Sequence, residues 1–273
     1  MKLGVIGLGD IAQKAYLPIL GTREDLELVF ATRTAETRKR LAAKYNVEET
    51  MATVDELVTT DIDAAFVHAA TEAHVKIVKK LLENHIHVYV DKPLAYNYEE
   101  AAALVDLAKK KELKLMIGFN RRYVPMYQEL AELDGNRLIT MEKNRTCNLA
   151  QIRETVFDDF IHVVDTLRYL AGAEIKDLDV DYAVEDDILK RIMVTYRGNQ
   201  FVATGVMNRD SGITEEIAEV MGFKEKLVVK ELTEMTKYKD GTEEFVRSKP
   251  WNPMLYNRGF VNIIDQFLEL LAE

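Results

Sequence analysis

Two hydrophobic patterns alternate along the first 120 residues. Continuous apolar runs, such as residues 64–70, predict buried parallel strands, and apolar residues spaced three or four apart, as in residues 98–111, predict amphipathic helices. Further strands are predicted at residues 3–6, 26–31, 87–90 and 113–119. Strands that alternate with helices indicate a doubly wound parallel sheet, and such sheets bind ligands beyond the carboxyl ends of their strands.

The pattern changes after the turn-rich residues 133–136. Residues 155–170 predict a helix closed by Gly172, whereas residues 175–247 predict strands joined by turns. We therefore expect two domains. Residues 1–120 would form the doubly wound α/β domain, and residues 121–273 an α+β domain with a large antiparallel or mixed sheet.

The predicted strand at residues 188–196 has apolar residues at both alternating sets of positions. Ile192 and Val194 belong to one set, and Leu189 and Met193 to the other. One face would cover the core of the domain, and the other would need a second apolar surface. We expect this sheet to join copies of the chain in a homodimer or homotetramer.

The first strand runs into the sequence GLGDIA at residues 7–12, which has the G-x-G-x-x-A spacing of a dinucleotide-binding loop. Gly7 permits a tight turn, Gly9 has no Cβ to hold a pyrophosphate away, and Ala12 lets the helix pack close to the strand. The helix N-terminus offers free N–H groups to phosphates. The sequence thus predicts a Rossmann domain whose loop residues Gly7, Gly9, Asp10, Ile11 and Ala12 hold a dinucleotide.

The end of the second strand distinguishes between the two nicotinamide cofactors. NAD-binding domains usually place Asp or Glu there for the ribose 2′-hydroxyl, but this chain has Thr32, Arg33 and Thr34, with Arg38 one turn later. Arg33 would attract a 2′-phosphate, and the threonine hydroxyls would donate hydrogen bonds to it. NADP(H) is the predicted cofactor, and NAD(H) is the alternative.

Other predicted strand ends supply further candidates for cofactor contact. They are Ala69, Thr71, His74 and Asp91. His74 has a second interpretation, as a structural residue near the start of a helix. His85 and His87 alternate along a strand, but no third ligand is spaced with them, so we expect no metal site.

Lys92 follows the strand at residues 87–90 and precedes Pro93, whose ring restricts Lys92 to extended backbone conformations. At this edge of the sheet its ammonium group would reach the ligand crevice. Beside a cationic nicotinamide, a partly desolvated amine would polarise a substrate hydroxyl. The alternative is an exposed loop lysine.

Asp158, His162 and Asp165 are spaced four and three residues apart, which places them on one helix face. Imidazole is well suited to proton transfer near neutral pH, and a neighbouring carboxylate raises its basicity. The alternative is a helix-terminal aspartate with a histidine hydrogen-bonded in the core. Both interpretations fit the spacing.

Composition restricts the partners. The formal net charge of −10 and the pI of about 5.2 argue against nucleic acid. The single cysteine, Cys147, permits no intrachain disulfide and fits a reducing compartment. No charged-then-apolar leader precedes the loop, and no apolar run of about 18 residues predicts a membrane span. We expect a cytoplasmic protein with a small-molecule substrate.

Together these motifs resemble those of the Gfo/Idh/MocA oxidoreductase family, specifically its MviM-like branch. The resemblance covers essentially the whole chain, and its motifs are GVIGLGDIAQKAYLPIL, FVHAATEAHVKIV, VYVDKPLA, MIGFNRRYVPMY, DDFIHVVDTLRYLAG and the late RGF at residues 258–260. It implies hydride transfer between nicotinamide and a carbon bearing a hydroxyl, commonly on a sugar or cyclic polyol.

The resemblance also implies roles for individual residues. Residues 91–93 stand where the family has Glu-Lys-Pro, which implies that Lys92 is catalytic. Asp158 and His162 match the family's D-x-x-x-H-x-x-D helix, which implies an acid/base pair supported by Asp165. Whether His162 or Lys92 accepts the proton stays open.

Asn120 and Arg121 fall where members of this family contact substrate. Two features depart from the family. Residues 152–155 replace a Gly-rich run found in sugar-oxidising members, and the chain ends at residue 273, where members usually continue through another helix. Two other classes of function stay open: a sensor that binds NADP(H) without turnover, and a scaffold without nucleotide affinity.

Overall fold

The computed structural model describes residues 1–273, which form two compact units. Unit 1 comprises Met1–Gly118 and Ile263–Glu273, and unit 2 comprises Phe119–Asn262. The observed division at residue 118 lies close to the expected one at residue 120. The end of the chain differs from expectation, because Ile263–Glu273 belong to unit 1 rather than to the second domain.

Unit 1 contains a six-stranded sheet in which every neighbouring pair is parallel. Its strands are β1 (Lys2–Ile6), β2 (Glu27–Ala31), β3 (Glu49–Met51), β4 (Ala64–Val67), β5 (His87–Val90) and β6 (Leu115–Ile117). Their order in the sheet is β3-β2-β1-β4-β5-β6. This confirms the predicted doubly wound sheet. The short strand β3 was not predicted, because it has no continuous apolar run.

The helices of unit 1 follow its strands along the chain. A π-helical turn at Ala12–Tyr16 leads into α1 (Leu17–Leu20), and the others are α2 (Ala35–Tyr45), α3 (Val54–Leu57), α4 (Thr71–Glu83) and α5 (Tyr98–Lys110). The C-terminal α10 (Phe260–Ala272) belongs to unit 1 from Ile263 onward. Phe267 of α10 explains why the chain end joins unit 1. Its ring lies 5.3 Å from that of Phe66 and 5.6 Å from that of Tyr89, and all three are fully buried.

Unit 2 contains an eight-stranded mixed sheet. Its strands are β7 (Arg137–Asn144), β8 (Asp177–Glu185), β9 (Ile188–Arg197), β10 (Phe201–Asn208), β11 (Glu215–Met221), β12 (Glu225–Lys230), β13 (Glu234–Lys239) and β14 (Thr242–Arg247). The order is β14-β13-β12-β11-β7-β10-β9-β8. Strands β7 and β10 pair in parallel, and every other neighbouring pair is antiparallel. The predicted α+β architecture is confirmed.

Short helices and one longer helix complete unit 2. After a 3-10 turn at Asn120–Tyr123 they are α6 (Pro125–Ala131), α7 (Ile152–Glu154), a π-helical turn at Thr155–Phe160, α8 (Ile161–Ala171) and α9 (Met254–Asn257). The predicted helix at residues 155–170 is therefore a π turn followed by an α-helix. Gly172 ends α8 with a φ of +58°, the left-handed conformation that glycine favours.

The face of this sheet turned away from its core carries apolar side chains. Ile139 and Ala203 are buried on the inner face, whereas their neighbours Leu138 and Val202 are 53% and 37% exposed. Met193 on β9 is exposed as well. The pairing of Val202 with Leu138 across β10 and β7 makes these positions adjacent.

No helix in the chain combines the length and the apolar character needed to cross a membrane.

Candidate active site

A cleft of about 700 Å³ lies at the carboxyl ends of β1, β2 and β4. The predicted cofactor residues that line it are Gly7, Gly9, Thr32, Arg33 and Ala69. Thr34, which the sequence placed at the same strand end, lines it as well. Residues not predicted from the sequence also line it, including Thr37, Thr53, Lys76 and Lys80. Three strand ends thus share one cleft, as the strand-end rule predicts. Its lining does not include Asp10, Ile11, Ala12, Thr71, His74 or Asp91.

Glycine suits the two positions of the loop for different structural reasons. Gly7 has a φ of +82°, and a Cβ added to it would lie 2.6 Å from the backbone nitrogen of Ala69, so only glycine fits. A Cβ added to Gly9 would have no atom within 4 Å, so open space adjoins the backbone of Gly9. This open space beside the loop fits a dinucleotide pyrophosphate.

Asp91 is held by two side chains from other segments of unit 1. The Tyr16 hydroxyl donates to Asp91 Oδ1 at 2.7 Å, and His68 Nδ1 lies 2.8 Å from Asp91 Oδ2. Burial, followed by the charge of Asp91, raises the pKa of Tyr16 well above its usual value, so its phenol stays protonated. Both carboxylate oxygens therefore have partners within the protein, and the contact of Asp91 with cofactor stays a prediction.

The contacts of Tyr16 and His68 fix the position of Asp91, the residue that precedes Lys92. The peptide bond between Lys92 and Pro93 is cis. His74 is fully buried and joins this segment to the end of β4, since its Nδ1 lies 2.8 Å from the Pro93 carbonyl oxygen and its Nε2 lies 2.9 Å from that of Ala69. The structural interpretation of His74 thus has direct support.

In unit 2 the π turn and α8 carry the predicted acid/base residues. Asp158 lies in the π turn and is exposed, and His162 lies in the first turn of α8 and is half-buried. Asp165 is buried, and its carboxylate accepts hydrogen bonds of 2.5–3.1 Å from the guanidinium of Arg122. Asp158 and His162 are therefore accessible, whereas Asp165 has an internal ion pair.

The two predicted substrate residues also have internal partners. The Asn120 side-chain amide donates to the Arg258 carbonyl oxygen at 2.8 Å. Arg121 forms two parallel hydrogen bonds of 2.7 Å with Glu216, and both residues are buried. Such bidentate pairs fix orientation strongly. Substrate contact by Asn120 and Arg121 stays a prediction.

Three cations converge on Asp159, the neighbour of Asp158. Lys143 Nζ lies 2.9 Å from Asp159 Oδ1, Arg209 donates to Oδ2 at 2.7 Å, and Arg145 donates to both oxygens at 3.1 and 3.2 Å. Burial raises the pKa of Asp159, but the charges and hydrogen bonds of Lys143 and Arg145 outweigh it and lower the pKa. The π turn is thereby tied to the sheet by charge.

Glu216 extends this cluster. Lys143 Nζ lies 3.4 Å from Glu216 Oε2, and the Tyr127 hydroxyl donates to Oε1 at 3.2 Å. Burial raises the pKa of Glu216, but Arg121 and Lys143 together hold that pKa at about 2. Burial and then the charge of Arg121 lower the pKa of Lys143 to about 8.

The sequence did not predict this cluster or the contacts of Tyr16 and His68 with Asp91. The cluster joins residues from β7, β11, the π turn and the segments after β6 and β10. The residues of β7 and β11 alternate in the ordinary way, so a lysine or glutamate on the inner face carries no local signal of its partners. Alternation with a period of two residues predicts the face of the strand on which a side chain lies. It does not predict which charged side chain from another segment lies opposite that face.

Comparison with known proteins identifies both parts of the chain. Residues 1–119 match the family described as "Oxidoreductase family, NAD-binding Rossmann fold", and residues 125–240 match "YceM-like, C-terminal domain". The YceM protein of Salmonella typhimurium is 32% identical over 98% of this chain and 89% of its own length. A myo-inositol 2-dehydrogenase of Thermotoga maritima is 29% identical over 67% of this chain and 59% of its own length.

Solved structures extend this likeness to the whole fold. A Gfo/Idh/MocA family oxidoreductase from Vibrio cholerae superposes with a TM-score of 0.94 at 35% identity, covering 100% of this chain and 89% of that one. The dehydrogenase MviM from Clostridium difficile superposes with a TM-score of 0.94 at 34% identity, covering 100% of this chain and 91% of that one.

The low pKa of Glu216 predicts a contribution to acid stability. Because the folded value of about 2 lies below the ordinary 4.5, the contribution is complete above pH 4.5 and is lost as the pH falls toward 2. We expect the free energy of unfolding of the wild type to fall by about 3 kcal/mol more than that of Glu216→Gln over this range. Urea unfolding at a series of pH values measures it.

Glu219→Gln is the matched control, because Glu219 lies on the same strand but pairs with Lys226 at a more exposed position. This variant should follow the wild type. A constant difference in unfolding free energy between wild type and Glu216→Gln from pH 5 to pH 2 would contradict the prediction.

Proposed function

The chain belongs to the Gfo/Idh/MocA oxidoreductase family, and from this premise we propose that it is an NADP(H)-dependent dehydrogenase or reductase. Its substrate would carry a hydroxyl on a sugar, a polyol or a related small molecule. The observation that carries the proposal is the cleft at three strand ends, open beside Gly9, in a chain whose whole length matches this family. The Thermotoga maritima relative is named as a myo-inositol 2-dehydrogenase, and this name supports the proposed substrate class.

The lining of the cleft supports NADP(H) over NAD(H). Arg33, Thr34 and Thr37 line it where β2 ends, and residues 32–34 include no carboxylate. Arg38 donates to the Thr32 carbonyl oxygen at 2.5 Å and so shapes this turn. Lys76 adds positive charge to the same cleft. A guanidinium with adjacent hydroxyls suits a 2′-phosphate, which a carboxylate would repel.

We assign the chemistry to groups of this chain as follows. A bound nicotinamide supplies or accepts the hydride. Following the family resemblance, the role we propose for His162, assisted by Asp158, is to take the proton of a substrate hydroxyl, and the role we propose for Lys92 is to polarise a substrate oxygen. The exposure of Asp158 and the partial exposure of His162 allow substrate to reach them. The contacts of Tyr16 and His68 with Asp91 hold the backbone from which Lys92 extends.

We also propose that the outer face of the eight-stranded sheet joins two copies of the chain. Its apolar side chains include Leu138, Met193, Val202, Tyr238 and Phe245, all at least one-third exposed. They form two groups on this face, one on the neighbouring strands β7, β10 and β9 and the other on β13 and β14, with β11 and β12 between them. Exposed apolar groups of this kind, such as Leu138 and Val202 on paired strands, are typical of interfaces. We further propose that the assembly is cytoplasmic.

Arg33→Ala tests the cofactor assignment. We expect its dissociation constant for NADPH to rise about tenfold or more, because a charge-assisted hydrogen bond contributes about 1.5–3 kcal/mol. The constant for NADH should change little. Nucleotide fluorescence titration measures both, and Lys39→Ala on the exposed surface of α2 is the control. Tighter wild-type binding of NADH than of NADPH would overturn the assignment.

Turnover tests the enzyme itself. Purified protein with NADP⁺ or NADPH is offered a panel of polyols, aldoses and keto-sugars while absorbance of the reduced nicotinamide is followed. We expect Lys92→Ala and His162→Ala each to lower kcat by about 100-fold or more on the responsive substrate, since positioned proton transfer contributes about 10²–10⁴-fold. Tight NADPH binding without turnover on any substrate would favour the sensor.

Val202→Glu tests the sheet interface. Val202 is already 37% exposed, so the single chain should tolerate a charge there. Burying that charge in an apolar contact is costly, and we expect the assembly to dissociate. Light scattering after size exclusion measures the mass, with Tyr98→Glu in unit 1 as the control. A wild type that is monomeric at micromolar concentration would contradict the proposal.

A further inference from the structure

The cleft of unit 1 continues past the strand ends to side chains of two helices. Its lining there includes Val54 and Asp55, which begin α3, and four residues of α4. The α4 residues are spaced three and four apart, which places them on one face of the helix, and they are Ala73, Lys76, Ile77 and Lys80. Only Lys76 among these six side chains has a part in the proposed function.

The start of α3 is held by hydrogen bonds within its own segment. Thr53 Oγ1 accepts from the Glu56 N–H at 3.1 Å, and Glu56 Oε2 accepts from the Ala52 N–H at 2.8 Å. Exchange of side-chain and backbone hydrogen bonds between a threonine and a glutamate three residues later is the pattern of a capping box. The backbone that carries Val54 and Asp55 is therefore fixed by the chain itself.

An ion pair joins α3 to α4 at this end of the cleft. Lys80 Nζ contacts Asp55 Oδ1, and the two side chains are 34% and 73% exposed. A pair so accessible to solvent contributes little to the stability of the fold. An ionised carboxylate accepts several hydrogen bonds, so the contact with Lys80 leaves Asp55 with acceptor capacity for a ligand.

The adenine base is the part of a dinucleotide that this end of the cleft would receive. Arg33, proposed to contact the 2′-phosphate, follows the end of β2, and the base is bonded to the ribose that carries this phosphate. Strand β3 pairs with β2 and ends at Met51, and α3 begins three residues later at Val54. A base on that ribose is therefore within reach of the start of α3.

We propose that Asp55 is a specificity-determining residue that accepts a hydrogen bond from the exocyclic amine of adenine. Val54 and Ile77 are half-buried and supply apolar surface for the ring, and Lys80 is a positioning residue that orients Asp55. Carboxylates accept from the exocyclic amines of bases in the same way in nucleic-acid recognition. The inference rests on the proposed function in that the ligand is an adenine dinucleotide.

The hypoxanthine analogue of NADPH tests the inference, because it has a carbonyl oxygen in place of the amine. Nucleotide fluorescence titration gives the dissociation constants of NADPH and of the analogue. We expect the wild type to bind the analogue about tenfold more weakly, since a hydrogen bond to a charged group is lost and two acceptors face each other. Asp55→Asn should reduce the difference to about twofold, because an amide also donates to a carbonyl oxygen.

Lys80→Met should reduce the difference to an intermediate value, because Asp55 loses the partner that orients it. Lys79→Met is the matched control, since Lys79 is the neighbouring residue of α4 but pairs with Glu83 and does not line the cleft. It should keep the tenfold difference. If the ion pair served only to join the two helices, Asp55→Asn and Lys80→Met would lower the melting temperature and leave the difference between nucleotides unchanged.

The proposal is overturned if the wild type binds the two nucleotides equally well, or if Asp55→Asn keeps the tenfold difference. Should the protein prefer NADH, the hypoxanthine analogue of NADH gives the same test, because both cofactors carry adenine. Discrimination between the bases without turnover of any substrate would refute the proposed enzyme and support the role of Asp55. A wild type that binds no dinucleotide would overturn both.

Discussion

The close approach of Gly7 to the end of β4 is the constraint on which unit 1 depends. Its positive φ and the 2.6 Å from a would-be Cβ to the Ala69 nitrogen leave no room for another residue. The loop therefore lies directly on the strand end, and the chain beyond it enters the π turn that carries Tyr16. Tyr16 in turn reaches Asp91, beside Lys92. One backbone contact thus relates the dinucleotide loop to the lysine assigned to catalysis.

In unit 2, ion pairs between largely buried side chains hold the segments that carry the candidate residues. Every carboxylate oxygen of Glu216 and Asp159 has at least one cationic partner, and Arg121 satisfies both oxygens of Glu216 at once. Removing charges from water costs several kcal/mol for each ion, so such a cluster contributes little net stability compared with apolar packing. Its effect is geometric. The hydrogen bonds from Lys143, Arg145 and Arg209 are directional and orient the carboxylate of Asp159 in the π turn.

Family membership and substrate identity depend on different residues. The loop at residues 7–12 and the strand ends around it belong to a platform that many activities share. Asn120 and Arg121, which the family resemblance associates with substrate, and Asp165, which it places beside the acid/base pair, all have partners within unit 2. Their ion pairs and hydrogen bonds show that the same side chains also stabilise the fold.

The sequence by itself predicted the alternation of strands and helices in unit 1 apart from β3, the glycine loop, and the end of α8 at Gly172. These features are local, because hydrophobic period and backbone preference act over a few neighbouring residues. It also predicted Lys92 at a strand end, because the apolar residues 87–90 predict a strand just before it. It did not predict the π turn at Thr155–Phe160, where a helical pattern continues unbroken through a change of hydrogen bonding.

Only the tertiary structure decided which distant side chains meet. His68 and Asp91 are 23 residues apart, and Arg121 and Glu216 are 95 residues apart. The placement of the C-terminal helix in unit 1 likewise depends on the rings that receive Phe267. The physical reason is the same in each case. A side chain's own segment sets the face on which it lies, but the charge or ring opposite that face belongs to another segment, brought there by packing of the whole chain.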